Sequence, residues 1–71
     1  MSEEVEKLKV LATNMALKSW ERHEAIETLA EIGNREASLA LLDIANNQEL
    51  ESWEREFALS KAREIIRSKA T

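Results

Sequence analysis

Ser19-Trp20-Glu21-Arg22 recurs as Ser52-Trp53-Glu54-Arg55, 33 residues further along the chain. The correspondence spreads in both directions from that tetrapeptide. Upstream, Leu8 aligns with Leu41, Leu11 with Ile44, Ala12 with Ala45, Asn14 with Asn47 and Leu17 with Leu50. Downstream, Ala25 aligns with Ala58, Ile26 with Leu59, Glu31 with Glu64 and Ile32 with Ile65. Residues 3–35 and 36–68 share twelve identities in 33 positions, far above chance. A fixed period between about 20 and 50 residues marks supersecondary units that bury their apolar faces by stacking. The chain thus reads as a single domain, 1–71, of two repeats, 3–35 and 36–68.

Within each repeat the apolar positions follow the three-and-four spacing of a helix with one buried face. Val5, Leu8, Leu11, Ala12 and Met15 form the first stripe. Arg22, Ala25, Ile26, Leu29, Ile32 and Gly33 form the second. Ala37, Leu41, Ile44 and Ala45 form the third, widened by Leu39 and Leu42, so this helix is expected to be the most buried. Ala58, Leu59, Ala62, Ile65 and Ile66 form the fourth. Ser2, Ser19, Asn34 and Ser52 suit N-cap positions, where a side-chain oxygen accepts from a free amide of the first turn. Glu3, Glu21, Glu36 and Glu54 follow within two residues, at the positive end of each helix dipole. Gly33 can take the left-handed conformation that ends a helix, and Asn46 and Asn47 can do the same for the third. Lys61, Arg63, Arg67 and Lys69 gather toward the C-terminal end of the last helix, the favourable end for cations. These signals place helices near 3–16, 20–32, 35–46 and 53–69.

Composition narrows the class further. The chain has no Pro, no Cys and one Gly, which removes most turn punctuation and excludes disulfides and thiolate chemistry. Ala, Leu, Glu, Lys and Arg favour helix, and β-branched residues are scattered, so the class is all-α. The net charge of −4 argues against general phosphate-backbone binding. No apolar run approaches the roughly 18 residues of a membrane span, and the first residues are acidic rather than signal-like. The expectation is a soluble, cytoplasmic protein with no membrane partner.

The stretch Arg22-x-x-Ala25-Ile26-x-x-Leu29-x-x-Ile32-Gly33-Asn34, followed by Ala37 and Leu41-Leu42, resembles a HEAT-like repeat of the short type found in phycobilisome-lyase-related proteins. Residues 53–66 repeat its first half, with Ala62 in place of Leu29 and Ile66 in place of Gly33, so that copy lacks the turn glycine and is expected to end as a cap-like helix. The resemblance, covering roughly residues 5–66, implies two tandem antiparallel helical hairpins, a fragment of an α-solenoid used as a scaffold for protein contacts. A plain four-helix bundle is the alternative. In the family's pattern Arg22 and Arg55 hold the characteristic Arg, which pairs with an acidic or carbonyl group of the neighbouring hairpin. Asp43 interrupts an otherwise apolar face and is the expected partner for one of them.

Trp20 and Trp53 occupy equivalent sites and supply two of three aromatic side chains. They are either paired anchors for a partner, as Trp often is at interfaces, or lids over their own helix starts with the indole N–H on a carbonyl. Glu24, Glu27 and Glu31 extend Glu21 into an acidic run, either a solvated face or a surface that steers a basic partner. His23 and Glu27 have i, i+4 spacing, but a metal site needs a third strong ligand, so an exposed His weakly paired with Glu27 is expected. Arg63, Arg67 and Lys69 are too few for a nucleic-acid footprint. No nucleophile–base signature or phosphate loop is present, and neither enzymatic activity nor a cofactor is expected.

The expected function is non-catalytic protein–protein interaction, as an adaptor, scaffold or assembly factor. Stacked repeats normally need about three units for stability, so two leave end faces open to another protein, or to a second copy as a homodimer. The resemblance also raises two alternatives: an accessory that handles a chromophore such as a bilin, and a DNA-binding HEAT-like module.

Overall fold

The computed structural model describes residues 2–70. Four helices follow one another: α1 (Glu3–Ala12), α2 (Ser19–Ile32), α3 (Arg35–Ala45) and α4 (Ser52–Ala70). The class is all-α, as the periodicity requires. The helices pair as α1 with α2 and α3 with α4, and the pairs meet through α1 on α3 and α2 on both α3 and α4. The radius of gyration of 11.0 Å equals what about 71 residues of compact chain should give, so the two hairpins share one core.

Local chemistry sets the boundaries. Ser2 Oγ accepts from the Val5 amide at 3.4 Å, and Asn34 Oδ1 from the Ala37 amide at 2.8 Å. Ser19 and Ser52, expected as caps, are instead the first residues of their helices. The chain enters those helices through Lys18 and Glu51, whose amides donate to Glu21 Oε1 at 2.8 Å and Glu54 Oε1 at 3.2 Å. A carboxylate reaching back from the third helical position satisfies the amide that a serine cap leaves open.

α1 stops at Ala12, four residues before the expected end. Thr13 turns its hydroxyl onto the Lys9 carbonyl, and Asn14 Oδ1 captures the Ala16 amide at 2.9 Å, an Asx turn that competes with further helix. Asn47 captures the Glu49 amide in the same way, also at 2.9 Å. α2 ends at Gly33, whose φ of +62° lies in the left-handed region and lets its amide donate to the Leu29 carbonyl. Ile66 stands at the corresponding place in α4, and that helix continues to 19 residues where α2 has 14.

Ile26, Leu29, Leu41 and Ile44 fill the centre of the core, each removing side-chain area worth roughly 1.5–3 kcal/mol. Ala12, Ala25, Ala37, Ala58 and Ala62 are buried between them, small enough for the helix backbones to approach closely. α3 is deeply buried, with Ala37, Ser38, Ala40, Leu41 and Ile44 all inside. Several residues of the expected stripes lie outside. Met15, beyond the end of α1, is 48% exposed, and Leu11, Ile32, Leu39, Leu59 and Ile66 are exposed as well.

Candidate functional site

A charged clasp joins the two hairpins. Arg22 Nε donates to Glu54 Oε2 at 2.7 Å, and Nη2 donates to Oε1 at 3.3 Å. The third nitrogen, Nη1, donates to the Leu17 carbonyl at 2.6 Å and the Asn14 carbonyl at 3.4 Å. Glu54 has no solvent exposure and Arg22 has 6%. Hydrogen bonding to Glu54 raises the Arg22 pKa above its ordinary value, against the opposing effect of burial. Two charges out of water are tolerable only when their remaining hydrogen-bonding capacity is met, and no buried side-chain nitrogen or oxygen among the described residues lacks a partner.

Asp43, expected to pair with Arg22 or Arg55, does neither. It is solvent-exposed on α3 and accepts from Lys9 Nζ at 3.0 Å, and that hydrogen bond raises the lysine's pKa. Glu54 is the residue that sequence reasoning missed. In the sequence it has only the marks of a first-turn carboxylate of α4. The available signal is the adjacency Glu21-Arg22 repeated as Glu54-Arg55, which offers an acid within reach of any surface that also needs the arginine.

At the other end of the repeat the same groups stand apart. Arg55 Nη1 donates to the Leu50 carbonyl, as Arg22 does to Leu17, and Glu21 accepts from the Lys18 amide. Among the described residues neither Arg55 nor Glu21 forms an ion pair.

His23 is half-buried rather than exposed. It sits 3.6 Å from Glu27, stacks on Phe57 with ring centroids 4.1 Å apart, and lies 5.9 Å from Trp53. Lys61 Nζ is 5.3 Å from the centre of the Phe57 ring. Trp53 therefore belongs to the junction between hairpins, and its indole N–H donates to Glu51 Oε1, a carboxylate, at 3.0 Å. Trp20, 58% exposed, has Lys18 at the equivalent position, which offers no acceptor.

Trp20 instead lines an open groove of about 380 Å³ between α1 and α2, with Leu8, Leu11, Leu17 and Ala25 as its apolar wall and Glu21 and Glu24 among its polar residues. Glu27 and Glu31 are exposed but do not line this groove, so the acidic run is divided between two surroundings. The groove's Leu8, Leu11, Leu17 and Glu21 have equivalents in the second hairpin that are covered, while Trp53, the equivalent of Trp20, remains 43% exposed. Leu11 is 43% exposed where Ile44 is 0%; half-buried Leu8 and Leu17 answer to buried Leu41 and Leu50; half-buried Glu21 answers to Glu54. The first hairpin lies over the second on that face, and nothing among the described residues lies over the first.

Among the described residues no group of three or more His, Asp or Glu side chains is gathered to hold a metal, and no helix is long and apolar enough to cross a membrane. Compared with protein-family models, curated proteins and solved structures, the chain matches none of them.

Proposed function

We propose that the chain is a pair of HEAT-like hairpins that works without catalysis, by docking another protein on the α1–α2 face. The observation that carries this reading is the mismatch in burial at equivalent positions. The apolar surface formed by Leu8, Leu11, Leu17 and Ala25 has the composition of a stacking face, and its counterpart in the second hairpin is closed by the first. Exposed Trp20 beside it is the kind of side chain that anchors interfaces. The hydrogen bonds shared at the repeat interval support one unit used twice: Asn14 with Asn47, Arg22 with Arg55 and Glu21 with Glu54 each make the same local contact.

A photo-crosslinking amino acid placed at Leu11 tests the reading in the cell of origin. A discrete protein adduct from position 11, absent when the crosslinker is moved to exposed Arg63, is the expected result. Equal labelling from both positions, or none from position 11, refutes it.

A further inference from the structure

We propose that the occupant of the α1–α2 groove is a second copy of this chain, seated head to tail so that Arg55 of one copy clasps Glu21 of the next. The inference rests on the docking function proposed above and names its partner. It follows from applying to a second molecule the same step that carries the first hairpin onto the second. Each contact between the hairpins then has a counterpart between copies, found by adding 33 to the first hairpin's residue and subtracting 33 from the second's.

The clasp of Arg22 with Glu54 becomes Arg55 with Glu21. Both are present, unpaired as ions, and already held by the same local hydrogen bonds as the pair they would imitate. The bridge between Lys9 and Asp43 becomes Leu42 against Val10. Both charges change to apolar side chains together, and Val10 is otherwise a valine left 61% exposed. The contact of Ser2 with Glu36, an amide donating to a carboxylate at 2.9 Å, becomes Arg35 with Glu3, a cation facing a carboxylate. Leu59, 42% exposed, is the counterpart of Ile26, which is buried in the core. Three of the five transferred contacts are chemically complementary, two as Arg–Glu pairs and one as an apolar pair.

The remaining two do not favour association. The stack of His23 on Phe57 becomes Glu56 facing Glu24, and the approach of His23 to Trp53 becomes Glu56 beside Trp20. A like-charge pair at the rim weakens the contact, which in a head-to-tail arrangement would otherwise propagate without closing. The predicted assembly is therefore weak, sensitive to salt and open-ended, in contrast to a two-fold dimer.

Sedimentation velocity over a concentration series at low salt tests this. The wild-type chain should sediment faster as concentration rises. Arg55→Glu alone and Glu21→Arg alone each place like charges in the clasp and should weaken association at least tenfold. An equimolar mixture of the two variants restores opposite charges at every contact and should associate again. Glu56→Gln should tighten wild-type association by about two- to fivefold, the range for removing one exposed like-charge contact. If Glu21→Arg loses helicity, the exposed pair Arg35→Glu and Glu3→Arg serves the same mixing design. A wild-type chain that stays monomeric at millimolar concentration overturns the proposal. So does a mixture that fails to restore association, or an Arg55→Glu variant that associates as well as wild type, which would indicate a groove-to-groove dimer. A crosslinked adduct at Leu11 to a different protein, with no self-association, removes this inference and leaves the proposed function standing. Absence of both removes both.

Discussion

Replacing Glu54 by Ala strips the carboxylate from the clasp and leaves the Arg22 guanidinium, 6% exposed, without its counter-charge. Removing one partner of a buried, hydrogen-bonded ion pair costs about 3–5 kcal/mol, because the survivor's desolvation is no longer offset. A chain of 71 residues is expected to have a total stability of only about 4–11 kcal/mol, so the loss is a large share of it. At about 2.1 cal/mol/K per residue, the unfolding entropy is roughly 150 cal/mol/K, and 3 kcal/mol lowers Tm by about 20 °C. Glu21→Ala is the internal control. It deletes the equivalent residue and the equivalent bond to a helix-entry amide, but no buried cation, and should cost only about 0.5–1.5 kcal/mol. Thermal and urea unfolding followed by circular dichroism, at concentrations low enough to keep the chain monomeric, compare the two directly. The double variant Arg22→Met with Glu54→Leu should recover much of the single-site loss, since apolar replacement of a whole buried pair is often neutral. Single losses at positions 54 and 21 that agree within about 1 kcal/mol would refute the reasoning, because burial would then not distinguish the two copies.

Three further outcomes follow from the same structure. Gly33→Ala should destabilise by about 1–2 kcal/mol, since the residue holds φ at +62° and a Cβ there lies 3.3 Å from the Ala30 carbonyl oxygen; chemical denaturation reads the change. Ile44→Ala should cost about 2–5 kcal/mol while Leu11→Ala, its exposed equivalent, costs well under 1, a contrast that urea midpoints resolve. Asp43→Asn should change stability by less than about 1 kcal/mol, because its bridge to Lys9 is largely solvated, and high salt should shrink even that difference.

The helices were legible because apolar periodicity and capping residues are local properties. Gly33 marked the end of α2 through its own backbone freedom, and Asn34 marked the start of α3 through its own side chain. The early end of α1 was not legible, since Asn14 supports either a longer helix or an Asx turn, and tertiary packing decides between them. The clasp was half visible: an Arg at a stacking face needs an acid, but Asp43 and Glu54 are equally acidic in sequence. Only the packing of α2 on α4 brings one within reach of Arg22. The partial exposure of Leu11 and Leu17 was hidden for a related reason. Periodicity identifies a face that wants covering, and cannot say whether the chain itself covers it. Trp20 and Trp53 are alike in sequence for the same reason, yet one lines an open groove and the other meets His23 across the hairpin junction.

The account depends on equivalent residues being unequally covered, and methyl NMR with a soluble paramagnetic relaxation agent measures that coverage residue by residue. In dilute solution the methyl signals of Leu11 and Leu17 should broaden strongly while those of Ile44 and Leu50 persist. Equal broadening across each equivalent pair would contradict it.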